Sequence, residues 1–510
     1  MTSFWSARVP EHPGDDGVDR WPTRTFDAVI IGAGITGLVT GVILARGGCS
    51  VALVEARGVA ALASGGNTGK VTVLHGARIS TIRRAHSAKV ARAYVEANLD
   101  GQRWIGDFAI EHSVPFALEP ALSYAQRASG LRVVDAEFAA AREAGLAVER
   151  VDRLPVPFPL AGAVSLADQL ALDPVALTGA LAAEFTRLGG VLLTGVRAQD
   201  VRASDPATVA TDHGTLTGDA VVVATAAPML RRGLYFAKTR HSRSYLAAFR
   251  VGEPPVPGLF LSVDGPTRSI RTTPDVATGG PPLVLVGGGG HPVGRVDSTR
   301  IEARRIVDWT NEYFDGASLV AAWSAQDYES LNLVPFAGRM PRGLRRIWIA
   351  TGYAKWGLTN GAAAALRISA EILGEPWREH RPWVKVLATR TTAPSDLARG
   401  VVENAAVGRE LFTGWGRALG NPAPAARPRE GEGVVVNRGG VPYGVSTVGG
   451  RTSAVCAVCP HAGGVVRWND VESSWDCPLH GSRFEASGRL IEGPATRDLR
   501  PDSRSSAAGR

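Results

Sequence analysis

The chain has 510 residues, which is too long for one ordinary domain, and its 45% hydrophobic and 20% charged residues are typical of a globular protein. Its net charge of +8 does not indicate a nucleic-acid partner, because only five of the 56 basic residues are lysine and the arginines are scattered. Four cysteines are too few for a disulfide framework, so we expect a cytoplasmic protein.

The first 21 residues contain neither an apolar segment nor a twin arginine, and we predict a disordered tail over 1–21 rather than an export signal. An uncharged stretch of eighteen residues at 28–45 is long enough to be mistaken for a membrane span. Four glycines within it indicate a nucleotide-binding turn and helix instead, so no membrane span is predicted.

The segment from Phe26 to Glu55 has the order of a dinucleotide-binding unit: strand, G-x-G-x-x-G, helix, strand, acid. Gly32 permits a tight turn, Gly34 lets a pyrophosphate approach the helix N-terminus, and Gly37 lets the helix pack closely on the strand. Glu55 ends the second strand, where a carboxylate can accept hydrogen bonds from ribose hydroxyls. We therefore predict a dinucleotide site built on these residues.

Two later segments predict where the chain returns to the same nucleotide. The strand at 219–225 ends in Thr225, and the strand at 346–351 runs through Gly352 into an alanine-rich helix. The N-terminus of that helix could stabilise negative charge on a flavin. The glycines at 287–290 lack the G-x-G-x-x-G spacing, so a separate NAD(P)H site is not predicted.

Over about residues 24–375 these segments resemble the FAD-dependent oxidoreductases of the D-amino-acid oxidase and glycine oxidase type. The most specific stretches are Gly-Asn-Thr-Gly-Lys-Val-Thr at 66–72, continuing to His75-Gly76, and Ala-Thr-Gly-Tyr-Ala-Lys-Trp-Gly at 350–357. The resemblance implies FAD as a cofactor. Besides the three glycines and Glu55, it implies as binding residues Asn67, Thr68, Lys70, Thr225, Gly352, Lys355, Trp356 and Gly357.

The same resemblance implies an α/β fold with a Rossmann-like FAD-binding domain and an antiparallel substrate sheet, together spanning 22–393. The nucleotide-binding parts are expected at about 24–114, 156–235 and 331–375, and the substrate domain at about 115–155 and 236–330. A linker is expected over 394–432, because its clearest part, 421–428, is rich in proline and alanine. A small all-β domain is expected over 433–505.

Three residues are candidates for catalysis, and each has a plainer alternative. Lys355 could stabilise negative charge on a reduced flavin, or it is a surface lysine. His291, like His75, is an acid–base candidate or a structural histidine. Arg271 could hold a substrate carboxylate in a bidentate fork, or it is one ordinary arginine among 51.

Near the C-terminal end, Cys459-Pro460-His461 and Cys477-Pro478-Leu479-His480 are separated by fifteen residues. A C-x-H and a C-x-x-H loop give two thiolates to one iron and two imidazoles to the other, which is the ligand set of a Rieske [2Fe–2S] centre. An alternative uses Cys456, because Cys456, Cys459, Cys477 and His480 could form a Cys₃His zinc ribbon.

The C-terminal segment resembles the Rieske family in more than its ligands. Gly463, Gly481 and Ser482 match that pattern, and Gly-Pro-Ala at 493–495 looks like the Pro-loop that shields the cluster. Gly464 and Leu479 stand where high-potential members have a disulfide. Phe484 stands where they have a tyrosine, so fewer hydrogen bonds support the cluster and we predict a potential low in the Rieske range.

We therefore expect an enzyme that moves electrons between a small-molecule substrate, an amine or amino acid by resemblance, and an external acceptor or donor through the cluster. Two alternatives remain. One is an electron-transfer or redox-sensing module without a small-molecule substrate. The other is a flavin oxidase that uses O₂, in which the Rieske domain is only structural. The oligomeric state is not indicated by the sequence.

Overall fold

The computed structural model of the chain describes residues 3–5, 21–252, 256–274, 278–376, 381–388, 394–422 and 427–502. The helices are α1 Ile35–Arg46, α2 Ala63–Gly66, α3 Arg78–Ala85, α4 Ala88–Glu111, α5 Leu131–Glu143, α6 Pro174–Arg187, α7 Thr299–Tyr313, α8 Gly357–Leu373, α9 Pro382–Ala388 and α10 Pro394–Leu419. Short 3₁₀ segments lie at Ala128–Gly130 and Arg232–Lys238.

The strands of the first two thirds of the chain are β1 Thr25–Ile31, β2 Val51–Glu55, β3 Lys70–Val71, β4 Phe116–Ala125, β5 Glu149–Val151, β6 Gly162–Leu172, β7 Val191–Thr194, β8 Ala198–Arg202, β9 Ala207–Thr211, β10 Thr215–Val223, β11 Thr239–Arg250, β12 Leu259–Ser262, β13 Ser269–Thr273, β14 Leu283–His291 and β15 Ser318–Ser330. Those that follow are β16 Phe336–Arg339, β17 Ile347–Thr351, β18 Gly433–Arg438, β19 Val441–Val448, β20 Arg451–Cys456, β21 Arg467–Asn469, β22 Ser474–Asp476, β23 Arg483–Glu485 and β24 Leu490–Glu492.

The first sheet has eight strands in the order β16-β17-β10-β1-β2-β7, with β8 and β9 beside β10. Strands β7, β2, β1, β10 and β17 run parallel. Ala28 and Ile30 of β1 pack towards α1, α6 and α8, whereas Val29 and Ile31 pack on the opposite face. A parallel strand covered on both faces needs an apolar side chain at every position, which explains the unbroken apolar run.

The second sheet has nine strands in the order β15-β11-β14-β13-β12-β4-β6-β3, with β5 beside β6. Its β11 and β15 pair antiparallel from Thr239 to Arg250. Tyr245 and Phe249 of β11 lie in a core with α7, while Leu246 and Ala248 lie in a separate core with Trp323. The two-residue period of the strand thus gives the sheet two different faces.

The C-terminal domain consists of the three-stranded sheet β18-β19-β20 and the four-stranded sheet β21-β22-β23-β24. Trp475 and Phe484 are fully buried between them. The parallel sheet, the antiparallel sheet and this small all-β domain confirm the predicted fold class.

Two segments contain more structure than we expected. Part of the predicted linker 394–432 forms the 26-residue helix α10. It packs on the C-terminal domain through Glu410, which forms an ion pair with Arg467 at 2.6 Å. In the predicted tail, Trp5 is fully buried and its indole N–H donates to Asn67 O at 2.9 Å. The rest of that tail lies outside the described residues.

Within the described ranges, no helix combines the length and apolar character that crossing a membrane requires.

Candidate cofactor sites

The glycine-rich turn lies between β1 and α1, and its geometry requires glycine. Gly32 has φ +108°, and a Cβ there would lie 2.8 Å from Ala224 O. A Cβ on Gly37 would lie only 1.9 Å from Gly32 O, so strand and helix approach too closely for any side chain. Helix α1 begins after Gly34, which has no side chain to cap it, and its Ile35 amide donates to Ser64 Oγ at 3.0 Å. The other N–H groups of the first turn can serve an anionic ligand.

Glu55 ends β2 at the rim of the same turn. Its carboxylate accepts hydrogen bonds from the Ala33 and Arg57 amides, each at 2.9 Å. Burial raises the pKa of Glu55, whereas the two amides act against that rise. Each carboxylate oxygen has a second lone pair, so the side chain can still accept from a ligand hydroxyl.

A cleft that is partly open to solvent extends from this turn. The lining includes Gly32, Gly34, Glu55, Thr225 and Met229. The Thr225 hydroxyl is turned towards Ala227 O, to which it donates at 2.6 Å. A helix N-terminus, a glycine turn and an acid in one cleft fit a dinucleotide such as FAD.

The stretch after α2 forms a tight turn that contacts the antiparallel sheet. The Asn67 side chain accepts from the Gly69 amide at 2.7 Å and donates to Ser64 O at 2.6 Å, and Thr68 lies within this turn. Lys70 is buried, and its Nζ donates to Phe260 O at 2.6 Å and to a serine hydroxyl of β13. Burial lowers the pKa of Lys70 well below its usual range.

Lys355 lies in a left-handed turn with φ +74° between β17 and α8. Its amide donates to the Asp327 carboxylate of β15, and its Nζ donates to Ser244 Oγ of β11 at 2.7 Å. The Lys355 side chain is exposed, and desolvation lowers the pKa of its ammonium group. Burial raises the pKa of Asp327 to about 6.

The residues around Lys355 complete this turn. Gly352 has φ +84° where β17 ends, and Gly357 begins α8, which has no side-chain cap. Trp356 stacks on His75, with ring centroids 4.2 Å apart. Both ring nitrogens of His75 are hydrogen-bonded, to the Tyr94 hydroxyl and to Thr72 O, and burial lowers its pKa to about 3. Such a histidine stays neutral and supports Trp356.

The structure does not bring the three catalytic candidates together. His291 pairs with Arg243 and stacks on Tyr245, so it lies on the opposite face of the sheet from Ser244 and Lys355. Its Nδ1 donates to Gly289 O at 3.0 Å.

Arg271 lies on the Lys355 face of the sheet but at a different place. Its guanidinium donates to Leu172 O at 3.1 Å and lies over the Trp5 ring. Burial lowers its pKa to about 10. These two contacts engage the Arg271 guanidinium, which we expected to hold a substrate carboxylate. The catalytic roles of Arg271 and His291 therefore stay predictions.

The two loops of the C-terminal domain bring Cys459, His461, Cys477 and His480 together. The two thiols hydrogen-bond each other, and the two imidazoles lie perpendicular with centroids 5.0 Å apart. Burial lowers the pKa of His461 to about 4 and that of His480 to about 3, which keeps both imidazoles neutral. Although His480 Nδ1 is buried, nothing among the described residues hydrogen-bonds it. The donor set fits a [2Fe–2S] cluster.

A single zinc ion does not fit this set. Four zinc ligands around one ion would lie within about 4 Å of one another, because Zn–S bonds are about 2.3 Å. Across the described residues, the one group of three or more such ligand atoms within 4.8 Å is Glu111, His112 and Glu184, which is remote in sequence from the loops. The Cys/His ligand atoms therefore surround a space wider than one ion.

The geometry of the cluster loops explains several of their residues besides the four ligands. Gly463 and Gly481 have φ +74° and +82°, which side chains rarely adopt. A Cβ on Gly464 would lie 2.5 Å from Leu479 Cγ. Leu479 thus packs on Gly464 at the two positions where high-potential Rieske proteins have a disulfide. The Ser482 hydroxyl and the His461 and Ala462 amides hydrogen-bond the Cys459 sulfur.

Residues of the larger domain surround the cluster loops. Phe236 lies edge-on to both imidazoles, with centroids 4.9 Å from His461 and 5.0 Å from His480. Gln326 donates to Gly481 O at 2.8 Å, and the Tyr328 hydroxyl donates to Gly493 O at 3.1 Å. His241 Nε2 and Arg295 donate to Leu479 O and Pro478 O at 3.1 and 2.8 Å. The histidine edge of the cluster therefore faces the rest of the protein.

A buried ionic network holds the same interface. Arg243 of β11 meets Glu472 at 2.5 Å, and Arg483 meets Glu472 at 2.8 Å and Asp476 at 3.1 Å. Glu492 lies 3.9 Å from both arginines, and burial raises its pKa to about 7. Two guanidinium groups thus face three carboxyl groups, so the interface is electrostatically specific.

The sequence offered no signal for Phe236, His241, Arg243 or Tyr328 as neighbours of the cluster. They lie on strands and turns whose local patterns indicate only an antiparallel sheet. The covered face of β11 carries His241 and Arg243, but the residues between and beside them are polar as well, so no alternation in the sequence indicated which face is covered.

The model of the FAD dependent oxidoreductase family matches residues 27–371, and the model of the Rieske [2Fe-2S] domain matches residues 422–501. The Bacillus subtilis (strain 168) protein YhfW, which is named as a Rieske 2Fe-2S iron-sulfur protein, is 28% identical over 481 residues. That alignment covers 93% of this chain and 92% of YhfW.

Two solved structures share the fold of the larger part. Glycine oxidase from Geobacillus kaustophilus is 19% identical with a TM-score of 0.57, and the match covers 69% of this chain and 95% of that one. L-proline dehydrogenase from P. horikoshii is 14% identical with a TM-score of 0.58, covering 73% and 100%. At these identities the likeness concerns the fold alone.

Proposed function

We propose, for a chain that belongs to the FAD dependent oxidoreductase family and carries a Rieske [2Fe-2S] domain, that it oxidises an amine or amino acid and delivers the electrons to an external acceptor. The family matches confirm the predicted resemblance and both predicted cofactors. When bound, FAD supplies two-electron hydride chemistry and the [2Fe–2S] cluster supplies one-electron transfer.

Strand β15 is the observation that carries this proposal, because it contacts both candidate cofactor sites. Asp327 accepts from the Lys355 amide on one face of the strand. On the other face, its neighbour Gln326 bonds to the Cys477 loop and its neighbour Tyr328 bonds to the Pro-loop. Adjacent residues of a strand point to opposite faces, so a single layer of sheet separates the Lys355 turn from the cluster loops. That separation suits internal electron transfer.

Around the proposed substrate site, the chain supplies charge and excludes water. Lys355 holds a positive charge that Asp327 and Glu329 favour and desolvation opposes. Its Nζ is fixed by Ser244, which leaves two of its N–H bonds for a ligand. Trp356 closes one side of the Lys355 turn by stacking on His75. We assign Lys355 to orient the substrate or to favour negative charge on the flavin.

The proposed substrate class rests on the neighbours of the fold. The glycine oxidase and the L-proline dehydrogenase named above have the same arrangement of a parallel and an antiparallel sheet. Their names state an amino acid as the compound acted on. Since the proposed site lies between the same two sheets here, an amine or amino acid is the first class to test.

The test is anaerobic visible spectroscopy of the full-length protein, with flavin, iron and zinc quantified on the same sample. We expect FAD and two irons per chain, and bleaching of both chromophores after addition of one compound from a panel of amines and amino acids. Both centres present without bleaching by any donor would favour an electron-transfer module.

A His480→Ala variant separates the remaining alternative. If electrons leave through the cluster, this variant should still bleach its flavin but lose turnover with one-electron acceptors. Undiminished turnover with O₂ in both proteins would instead favour a plain oxidase with a structural Rieske domain.

A further inference from the structure

We infer that the Rieske domain forms one wall of the FAD cleft, so that FAD binding and the integrity of the cluster loops depend on each other. The cleft lining includes Ile491, Glu492, Gly493, Ala495 and Thr496 of the Pro-loop segment. Two domains that are distinct in the family matches therefore share one cofactor site. The inference rests on the proposed placement of FAD in this cleft, and not on the proposed substrate.

The wall is close to the opposite side of the cleft. A Cβ on Gly493 would lie 3.5 Å from the Cβ of Ala227, which follows the Thr225 strand end. The Pro-loop segment thus contacts the chain where β10 returns to the nucleotide. A ligand that extends from the glycine turn past Thr225 lies beside the Rieske domain as well as the Rossmann-like sheet.

Contacts from the larger domain hold this segment just before its start and at its middle. Arg197, which also lines the cleft, donates to Leu490 O at 3.0 Å. Tyr328 donates to Gly493 O at 3.1 Å. The wall therefore has a fixed position relative to the glycine turn, which a pre-organised binding site requires.

Two hydrogen bonds connect the wall to a cluster ligand. The Ala495 amide donates to Ser482 Oγ at 2.9 Å, and the Ser482 hydroxyl hydrogen-bonds the Cys459 sulfur. A change in the position of the Pro-loop segment thus reaches Cys459 through one side chain. By linkage, a cluster that orders this segment should tighten FAD binding, and bound FAD should stabilise the segment by the same factor.

The test compares two adjacent residues. Thr496 lines the cleft, whereas Arg497 is exposed and does not. Full-length protein that retains its cluster but has been stripped of FAD is titrated with FAD, and quenching of flavin fluorescence gives the Kd. We expect Thr496→Trp to weaken FAD binding at least tenfold and Arg497→Trp to leave it within twofold of the wild type.

Two further variants keep the inference falsifiable if Thr496→Trp folds poorly. Ile491→Ala removes wall contacts without adding bulk and should raise the FAD Kd a few-fold. Ser482→Ala keeps all four cluster ligands but removes the link to Ala495, and it should also raise the Kd. Wild-type FAD affinity in Ile491→Ala and Ser482→Ala would overturn the inference.

A Gly34→Asp variant separates this inference from the placement of FAD. It puts a negative charge at the N-terminus of α1, where a pyrophosphate would bind. Weak FAD binding in Gly34→Asp with normal binding in Thr496→Trp would refute only the shared wall. Normal FAD binding in both variants would show that FAD lies elsewhere, and the inference would fall with its premise.

Discussion

The glycine-rich turn and the cluster loops depend on the rest of the molecule to different degrees. The turn is built mainly by contiguous sequence, since Gly32 follows β1, Gly37 of α1 packs against Gly32 O, and Glu55 at the end of β2 accepts from the Ala33 amide. The cluster loops take their four ligands from 22 residues, yet Phe236, Gln326 and Tyr328 of the other domain contact them. A site formed by backbone groups, such as the glycine-rich turn, can be built from neighbouring residues. A site surrounded by side chains, such as the cluster loops, also needs residues from distant strands.

The two sites also differ in their electrostatics. The glycine turn offers backbone N–H groups to the anionic part of a ligand, and Glu55 offers its carboxylate to the ligand's hydroxyl groups. The cluster loops are backed by the network of Arg243, Arg483 and three carboxyl groups. The following substitutions test whether local backbone geometry controls the first site and interface side chains control the second.

Replacing a cluster ligand should have the largest effect. Cys459→Ser should reduce the iron content from two per chain to none, because one thiolate of the cluster is lost. Cys456→Ser is the matched control, because Cys456 lies at the end of β20 and the Rieske arrangement does not use it. Iron analysis and the visible spectrum, recorded with excess FAD, measure both. Zinc in place of iron in the wild type, lost equally from the two variants, would instead support the zinc-ribbon arrangement.

Glu492 should make stability depend on pH in a direction opposite to an ordinary acid. Its pKa is about 7 in the folded protein against 4.5 in the reference state, so the stabilising protonated form is fully present below pH 4.5 and lost as pH rises through 7. Glu492→Gln should therefore gain up to about 3 kcal/mol relative to the wild type between pH 4.5 and pH 8.

Urea titrations at pH 5 and pH 8 measure this difference. Glu485→Gln is the control, because Arg489 lowers the pKa of Glu485 and its contribution is lost only as pH falls. If the wild type and Glu492→Gln changed equally with pH, the ionic network would not control the interface.

The glycine turn should respond to a single methyl group. Gly37→Ala places a Cβ 1.9 Å from Gly32 O, which forces strand and helix apart. Overpacking costs about 1–3 kcal/mol, so we expect FAD binding to weaken roughly 10- to 100-fold. Gly179→Ala in α6 meets nothing within 4 Å and should raise stability by about 0.5–1 kcal/mol. FAD titration and thermal unfolding test the pair, and similar results for both would argue against a close-packed turn.

The smallest expected effect is that of one interface hydroxyl. Tyr328→Phe leaves Gly493 O without its donor, at a cost of about 1 kcal/mol. In stopped-flow reduction we expect cluster bleaching to slow a few-fold while flavin bleaching is unchanged. Tyr313→Phe, on α7, should change neither rate. Slower flavin bleaching in Tyr328→Phe would place its role at the substrate site.

Both cofactors could be predicted from the sequence alone. So could the residues that bind through local backbone geometry or through ligands in one short loop. G-x-G-x-x-G and C-x-H with C-x-x-H specify loop geometry within a few residues, so their function is readable without knowing the fold. The fold class was implied by the resemblance to FAD-dependent oxidoreductases, and the apolar run of β1 agrees with it, because that strand is covered on both faces.

The contacts between the larger domain and the C-terminal domain could not be predicted from the sequence. His241 and Leu479 are 238 positions apart, and Tyr328 and Gly493 are 165 apart, so no local pattern indicates their contact. Helix α10 was not predicted, because the proline- and alanine-rich stretch 421–428 indicated a linker, although Val407, Leu411 and Trp415 recur at helical spacing and pack on the C-terminal domain. The placement of His291 and Lys355 on opposite faces followed from the pairing of β11 with β14, which strand register alone sets.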